Sequence, residues 1–229
     1  WSKSRKRLSN RLWLDKNENT HPKLIKLYKE ILNNINPIHV STYPELGSLY
    51  KKISFHEKIL SKNIIFGHGS DGCIQNVFQA LIKKNDHVLL PSPTFAMYDV
   101  YAKAFDAKIS YIKYFVDEKG SISLDLQKLF KLFKKKPKLF CLPNPDSPSG
   151  SKLDEKTLNK IFSICEKIGC YVLIDEAYHL FYKPSQIKKI YTYKKLIIVK
   201  SFSKAFGLAG LRAGCIIANK ITINNLKSF

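Results

Sequence analysis

Arginine is scarce in this 229-residue chain: only four of its 39 basic residues are arginines, at Arg5, Arg7, Arg11 and Arg212. Arginine offers a planar fork of donors for bases and phosphates, whereas lysine is a compact, hydrated charge. The net charge of +21 therefore comes mainly from lysines, which are scattered apart from short clusters at 134–136 and 188–189. This pattern does not favour nucleic acid as the main partner, although a non-catalytic basic protein that binds nucleic acid remains an alternative.

The chain also lacks paired cysteine motifs and long apolar runs. Its cysteines are odd in number and none has the CxxC spacing of zinc or dithiol redox sites (Cys73, Cys141, Cys165, Cys170 and Cys215). We therefore expect buried, reduced thiols, no bound metal and a cytoplasmic location. No segment approaches the eighteen or so apolar residues of a membrane helix, and the amino terminus has no signal-type core, so we expect no membrane partner.

The first residue is Trp1 rather than methionine, and the chain stops at Phe229, a few residues into a predicted helix over 221–229. We therefore expect a fragment of a longer protein. Its length still suffices for one large α/β domain with a substantial core. Hydrophobic residues make up 45% of the chain and charged residues 25%, which predicts a folded, soluble protein.

Beyond about residue 60, short apolar runs alternate with amphipathic stretches, the rhythm of an α/β protein with a mostly parallel sheet. The pattern predicts about seven strands, at 63–67, 87–90, 109–114, 139–142, 171–175, 196–201 and 214–218. It predicts helical or non-strand segments at 71–83, 95–104, 123–133, 154–167 and part of 182–193. We expect a three-layer αβα sandwich at 41–229, preceded by an arm and a helix at 1–40.

The segment Gly67-His-Gly69-Ser-Asp-Gly72 has the GxGxxG spacing between a predicted strand and a predicted helix. A nicotinamide dinucleotide site also needs a carboxylate at the end of the next strand. That strand ends in Leu89-Leu90-Pro91-Ser92, without one. Two interpretations remain open: an anion site formed by the helix start with Ser70 and Asp71, or a plain structural turn.

Two predicted strands deliver polar side chains to the carboxyl edge of the sheet, where ligands bind in open α/β folds. Asp175 ends the strand at 171–175, although an aspartate there could equally cap a helix. The strand at 196–201 is followed by Ser203 and Lys204, and Arg212 lies a short way on. An amine in such a cleft is a candidate nucleophile towards a carbonyl, either of a substrate or of pyridoxal phosphate. The guanidinium of Arg212 is suited to binding a phosphate. The alternative for Lys204 is that it is an ordinary surface lysine.

The segment SFSKAFGLAGLRAG at 201–214 resembles the cofactor-lysine segment of fold-type I pyridoxal-phosphate enzymes. The similarity is to class I/II aminotransferases of the histidinol-phosphate aminotransferase branch. It extends over most of the chain, because six further motifs occur in the family's order. They are LDKNENT at Leu14, STYPELG at Ser41, GHGSDGCIQ at Gly67, PSPTFAMYDVYA at Pro91, NPDSPSG at Asn144 and LIDEAY at Leu173.

The resemblance implies pyridoxal 5'-phosphate as cofactor and three catalytic residues. Lys204 would bind the cofactor covalently and would later carry a proton between the substrate's Cα and the cofactor's C4′. Asp175 would keep the pyridine nitrogen protonated, and Tyr178 would donate to the phenolic oxygen. The residues implied at the phosphate are Ser70, Asp71, Ser201, Ser203 and Arg212.

Four further positions carry over, and two of them, Phe95 and Ser147, depart from the family's usual residue. Phe95 occupies the position of the ring-stacking aromatic, which is usually tyrosine. Tyr43 resembles the tyrosine that reaches the phosphate of the neighbouring subunit, which implies a homodimer. The family's NPNNPTG appears here as NPDSPSG, so Ser147 stands where an asparagine should contact the phenolic oxygen. Either Ser147 or Asn144 would have to serve in its place.

The function implied is a transaminase of amino-acid biosynthesis that moves an amino group between an amino acid and a keto or aldehyde substrate. Histidinol phosphate with 2-oxoglutarate is the family pair. A decarboxylase of a phosphorylated amino acid is the alternative enzyme, and an inactive fragment that keeps the cofactor site is a third possibility. The family's small carboxyl-terminal domain, with its substrate-carboxylate arginine, is expected to lie beyond residue 229.

Overall fold

The computed structural model describes residues 15–182 and 184–227. Residues 1–14 lie outside the described residues, so the start of the expected arm, three of the four arginines and Leu14 of LDKNENT are not placed. Lys183 and residues 228–229, at the end of the helix predicted over 221–229, lie outside them as well.

Within residues 15–182 and 184–227, a single mixed sheet of eight strands forms the centre of the molecule. The strands are β1 (Ile64–His68), β2 (His87–Ser92), β3 (Lys108–Val116), β4 (Ile122–Leu124), β5 (Leu139–Pro143), β6 (Tyr171–Asp175), β7 (Leu196–Ser201) and β8 (Ala213–Ala218). Their order is β1-β8-β7-β6-β5-β2-β3-β4. The run from β7 to β3 is parallel, whereas β8 is antiparallel to both β7 and β1, and β4 is antiparallel to β3.

Eight α-helices accompany the sheet within the described residues. They are α1 (Pro22–Asn33), α2 (Ile38–Ser41), α3 (Gly47–Glu57), α4 (Gly69–Leu81), α5 (Met97–Ala104), α6 (Leu126–Phe133), α7 (Glu155–Ile168) and α8 (Lys220–Lys227). Two apolar clusters lie on the two faces of the sheet. One contains residues of α4, α5 and α8, and the other contains residues of α3, α6 and α7. The expected three-layer αβα arrangement is confirmed.

The central strands are fully buried, which explains why their sequences are continuous apolar runs. Every residue of β5, β6 and β7 is buried. In such parallel strands both faces are covered by helices, so polar and apolar residues do not alternate. All seven predicted strands are present, with ends that differ by a few residues.

One predicted segment differs from the structure. The helix expected at 123–133 begins only at Leu126, because Asp125 caps it by accepting a hydrogen bond from the Lys128 N–H at 2.9 Å. The residues before the cap form β4, an eighth strand that pairs with the end of β3. The segment at 182–193 contains no strand among its described residues, as predicted, and its helical part is a short 3-10 helix, Ile187–Tyr191.

All five cysteines are free and buried. Burial raises the pKa of the Cys215 thiol to about 12. Among the described residues, no helix combines the length and apolar character that a bilayer crossing would require.

Candidate active site

The carboxyl ends of the parallel strands open into a cleft of about 530 Å³. Pro143, Asp175 and Ser201 are the last residues of β5, β6 and β7, and all three line it. Ten of the twelve candidate residues line this one cleft. They are Ser70, Asp71, Phe95, Ser147, Asp175, Tyr178, Ser201, Ser203, Lys204 and Arg212.

Lys204 lies three residues after β7, in the loop that follows the strand. Its ammonium donates a hydrogen bond to the backbone carbonyl of Lys16 at 2.7 Å. It also lies over the ring of Tyr178, 5.6 Å from the centroid. The amine therefore points into the cleft and faces an aromatic ring and one carbonyl.

Asp175 is buried at the floor of the cleft, with about 6% of its surface exposed. The hydroxyl of Tyr98 donates to its Oδ2 at 3.0 Å, and the N–H of Ala177 donates to its Oδ1 at 2.9 Å. Burial raises the pKa of Asp175 to about 6, and these two hydrogen bonds oppose that rise. A cationic group in the cleft would be stabilised by the ionised form of this carboxylate.

Tyr178 lies at the start of the turn that follows β6. Its hydroxyl accepts a hydrogen bond from the Asn17 amide nitrogen at 2.9 Å. Asn19, two residues further along the same segment, donates to the carbonyl of Ala205 at 3.1 Å. Residues 16–19 therefore cross the mouth of the cleft and contact both Tyr178 and the loop that carries Lys204.

The start of α4 and the side chain of Arg212 form a site for an anion. Gly69 has a φ of +72°, and a Cβ added there would lie 2.8 Å from Nη2 of Arg212. A Cβ added at Gly214 would lie 2.4 Å from the carbonyl carbon of Gly69. The guanidinium therefore packs against the first residue of α4, where free backbone N–H groups favour a phosphate. Tyr101 donates to Asp71 at 2.9 Å and fixes that side chain.

Two candidate residues lie elsewhere. The Oδ1 of Asn144 accepts a hydrogen bond from the Leu153 N–H at 2.9 Å, and the residue does not line the cleft. Of the two residues considered for the phenolic oxygen, only Ser147 reaches the cleft. Tyr43 is fully exposed and lies outside the cleft of its own chain.

Three parts of the site have no function assigned from the sequence: Tyr98, Tyr101 and the segment 16–19. Both tyrosines lie in the motif PSPTFAMYDVYA, three and six residues after Phe95, so their helical spacing is a usable signal. Phe95 and Tyr98 pack edge to face, with ring centroids 5.9 Å apart. The segment 16–19 lies within the motif LDKNENT, but its contacts depend on residues more than 160 positions away.

The cleft suits a flat phosphorylated aldehyde by the chemistry of its donors. It offers the amines of Lys204 and Lys16 for the aldehyde, one buried carboxylate for a ring cation, and hydroxyls with a guanidinium at a helix start for the phosphate. Among the described residues, no group of three or more histidine, cysteine or acidic side chains could hold a metal ion.

The family model for aminotransferases of class I and II matches residues 9–229. The histidinol-phosphate aminotransferase of Caldanaerobacter subterraneus subsp. tengcongensis is 34% identical over 208 residues, which are 90% of this chain and 58% of that protein. The chain thus spans less than two thirds of the length of the curated relatives it matches.

Two solved structures share the fold. The histidinol-phosphate aminotransferase of Sinorhizobium meliloti, in complex with pyridoxal-5'-phosphate, superposes with a TM-score of 0.80 at 19% identity, over 93% of this chain and 58% of that one. The L-threonine-O-3-phosphate decarboxylase of Porphyromonas gingivalis gives a TM-score of 0.71 at 24% identity, over 90% and 62%. The family match covers nearly the whole chain, and with it we conclude that this chain belongs to the class I and II aminotransferases.

Proposed function

We propose that the chain is the arm (1–40) and the large domain (41–229) of a pyridoxal-phosphate-dependent aminotransferase. The observation that carries the proposal is one cleft that holds the Lys204 amine, the buried Asp175 carboxylate and the Arg212–α4 anion site. The curated relatives at about 34% identity are named histidinol-phosphate aminotransferases, which supports histidinol phosphate as one substrate. We pair it with 2-oxoglutarate, as the sequence resemblance implies. The free, buried thiols support a cytoplasmic location.

Bound pyridoxal phosphate supplies an aldehyde for covalent attachment and a ring that accepts electrons from the substrate's Cα. Lys204 would be the attachment point and, once its amine is free, the base that takes the proton from Cα. Asp175 would hold a proton on the ring nitrogen. Tyr178 would donate a hydrogen bond to the phenolic oxygen, and Ser147 would contact the same oxygen. Phe95 would stack on the ring.

The phosphate would be bound by the start of α4 and by side chains around it. Ser70, Ser201, Ser203 and Arg212 would donate to it, while Asp71 is held by Tyr101 beside the same helix start. Such an arrangement would fix the cofactor at its phosphate end, so that its aldehyde lies within reach of the Lys204 amine. Binding would therefore depend strongly on Arg212, whose guanidinium offers two parallel donors.

A titration with pyridoxal phosphate, followed by visible absorbance, tests the proposal. We expect saturable binding by the unmodified chain, competition by inorganic phosphate, and an affinity about tenfold lower in Arg212→Gln, as for the loss of a hydrogen bond to a charged group. Lys220→Gln is the matched control, since it removes one exposed cation outside the cleft. A chain without a saturable band, or an Arg212→Gln variant that binds like Lys220→Gln, would contradict the proposal.

A decarboxylase of a phosphorylated amino acid is the second candidate, supported by the fold likeness to a phosphothreonine decarboxylase. Both reactions use the same cofactor and differ in which bond at Cα breaks, so binding does not separate them. Product analysis of the full-length enzyme does: release of carbon dioxide without a keto product excludes transamination. A chain with no cofactor band and steeply salt-dependent DNA binding would instead support the nucleic-acid alternative.

A homodimer is part of the proposal, because α1 exposes an apolar face and buries none of its residues in this chain. Ile31 and Leu32 are 51% and 61% exposed. We expect Leu32→Glu to shift the sedimenting species from dimer to monomer. Tyr43→Phe should leave the dimer intact and weaken cofactor binding, since Tyr43 would reach the second copy's phosphate. A monomeric unmodified chain at micromolar concentration would contradict this arrangement.

A further inference from the structure

A buried ionic cluster lies next to the cleft without lining it. The ammonium of Lys200, which is about 4% exposed, lies 2.6 Å from Oε2 of Glu57 and 3.7 Å from Oε2 of Glu176. It also lies 3.2 Å from Nε2 of His179. We call these four residues the Lys200 cluster, and none of them lines the cleft.

Three members of the Lys200 cluster are chain neighbours of cleft residues. Lys200 immediately precedes Ser201 on β7, Glu176 immediately follows Asp175, and His179 immediately follows Tyr178. Successive side chains of an extended chain point to opposite sides, which accounts for the separation of Lys200 from Ser201. The fourth member, Glu57, is the last residue of α3, so the cluster also connects that helix to the ends of β6 and β7.

Hydrogen-bond directions define the protonation of the cluster. The backbone carbonyl of Glu176 can only accept, so Nδ1 of His179 donates to it at 2.9 Å. The Nε2 atom then carries the lone pair and accepts from Lys200. Burial and the adjacent Lys200 ammonium lower the pKa of His179, in agreement with a neutral ring. Lys200 is therefore the cation that faces the carboxylates of Glu57 and Glu176.

The same contacts hold the turn on which Tyr178 sits. Glu176 accepts from the N–H of Gln186 at 2.6 Å and from the hydroxyl of Ser185 at 2.5 Å, which ties the first residue of the turn at 176–182 to residues that follow the turn. His179 bridges the Glu176 carbonyl and Lys200 from within the turn. Tyr178 lies between these two anchored residues, so the Lys200 cluster fixes the backbone from which its side chain extends.

We propose that Lys200 is a positioning residue, which acts through the turn at 176–182 to fix the Tyr178 hydroxyl in the cleft. The inference rests on the proposed function, because it gives Tyr178 the cofactor's phenolic oxygen as its target. Lys200 does not touch the cofactor. It fixes the turn by neutralising Glu176 and by ordering the His179 ring.

Two measurements test the role, and the first needs no cofactor. Hydrogen–deuterium exchange of the peptide over 176–182 should be at least about tenfold faster in Lys200→Gln, with the central strands still protected. Lys200→Arg should restore slow exchange. The control is Lys189→Gln, which breaks a partly exposed ion pair with Glu155 at 3.0 Å, and neither residue lines the cleft, so the change should not affect exchange of this peptide.

The second measurement is the pH at which the visible band of the bound cofactor changes. Lys200→Gln should lower affinity for pyridoxal phosphate about tenfold, in line with one displaced hydrogen bond to a charged group, and should move the midpoint in the same direction as Tyr178→Phe. The double variant should move it no further than Tyr178→Phe alone, since both changes act on one hydroxyl. Should Lys200→Gln fail to fold, Glu176→Gln tests the same contact from the other side, because it removes the charge that Lys200 neutralises, and exchange over 176–182 should again be faster.

The outcomes are distinct. Unchanged exchange over 176–182, or midpoint shifts that add in the double variant, would overturn the positioning role even if the cofactor binds. Faster exchange in a chain whose unmodified form shows no cofactor band would overturn the proposed function and leave the control of the turn by Lys200 supported. Faster exchange with a non-additive midpoint shift is the result we expect.

Discussion

The Lys204→Ala variant is expected to form no adduct with pyridoxal phosphate that borohydride can reduce. The unmodified chain should form about one per chain, because a covalent bond to the cofactor requires a free amine in the cleft. The Lys204 ammonium is held there by the Lys16 carbonyl and lies over the Tyr178 ring. Mass spectrometry of the reduced protein gives both the stoichiometry and the modified peptide.

Lys16 provides the matched control, because it also lines the cleft and carries a second amine. Its contact with Lys204 uses the backbone carbonyl, so Lys16→Ala keeps that hydrogen bond. We expect Lys16→Ala to form the adduct at the level of the unmodified chain. An adduct that persists in Lys204→Ala, on Lys16 or elsewhere, would show that the attachment point is assigned to the wrong lysine.

The second large effect is expected from Asp175→Asn, which should stabilise the cofactor-free chain and weaken cofactor binding. The pKa of Asp175 is raised by burial to about 6 in the fold, whereas an unfolded aspartate titrates near 3.9. At neutral pH the fold therefore holds a carboxylate that it destabilises by roughly 2–3 kcal/mol. Removing the charge should raise the melting temperature by about 5–10 °C.

The contribution of Asp175 to folding stability should change with pH in a defined direction. Between about pH 4 and 6 the folded chain binds a proton that the unfolded chain has lost, so Asp175 makes stability fall as pH rises through that window. Below it both states are protonated, and above it the full cost is present. Asp175→Asn should lack this component, so its advantage over the unmodified chain should grow from pH 4 to pH 6 and then stay constant.

Thermal unfolding from pH 4 to 8 measures the difference, with Asp117→Asn as the control. Asp117 is an exposed turn residue that accepts from the N–H groups of Lys119 and Ser121, which an asparagine can also do. In the same preparation, Asp175→Asn should bind pyridoxal phosphate at least about tenfold more weakly, because the ring cation loses its counter-ion. A variant that is less stable at pH 7 yet binds the cofactor normally would contradict both the burial cost and the assigned role.

The sequence predicts the sheet well because its central strands are buried on both faces. Continuous apolar runs such as Leu196–Val199 leave few alternatives, and the polar residues that follow them lie at the ligand edge by topology. The sequence pattern did not predict the short strand β4, because its three residues come just before an amphipathic helix. Only the capping residue Asp125 separates the strand from the helix. Local patterns do not reveal such a boundary.

The contacts behind the site could not be predicted in the same way. Glu57 and Lys200 are separated by 143 positions, and Tyr98 and Asp175 by 77, so no spacing in the sequence brings them together. The usable signal was a lysine inside an otherwise apolar strand, since a buried ammonium requires carboxylate partners. Asn144 shows the converse, since it lies within a family motif but uses its side chain to hold the backbone at Leu153.

The contact of Gly214 with Gly69 has a consequence for anion binding. Because β8 runs directly against the first residue of α4 and Arg212 packs on the same glycine, the helix start and the guanidinium already lie together before an anion binds. The donors are preorganised, so an incoming phosphate loses its own freedom of motion but orders little of the protein. Phosphate affinity should therefore persist in fragments and variants whose remaining cleft is perturbed, which makes inorganic phosphate a probe of this corner alone.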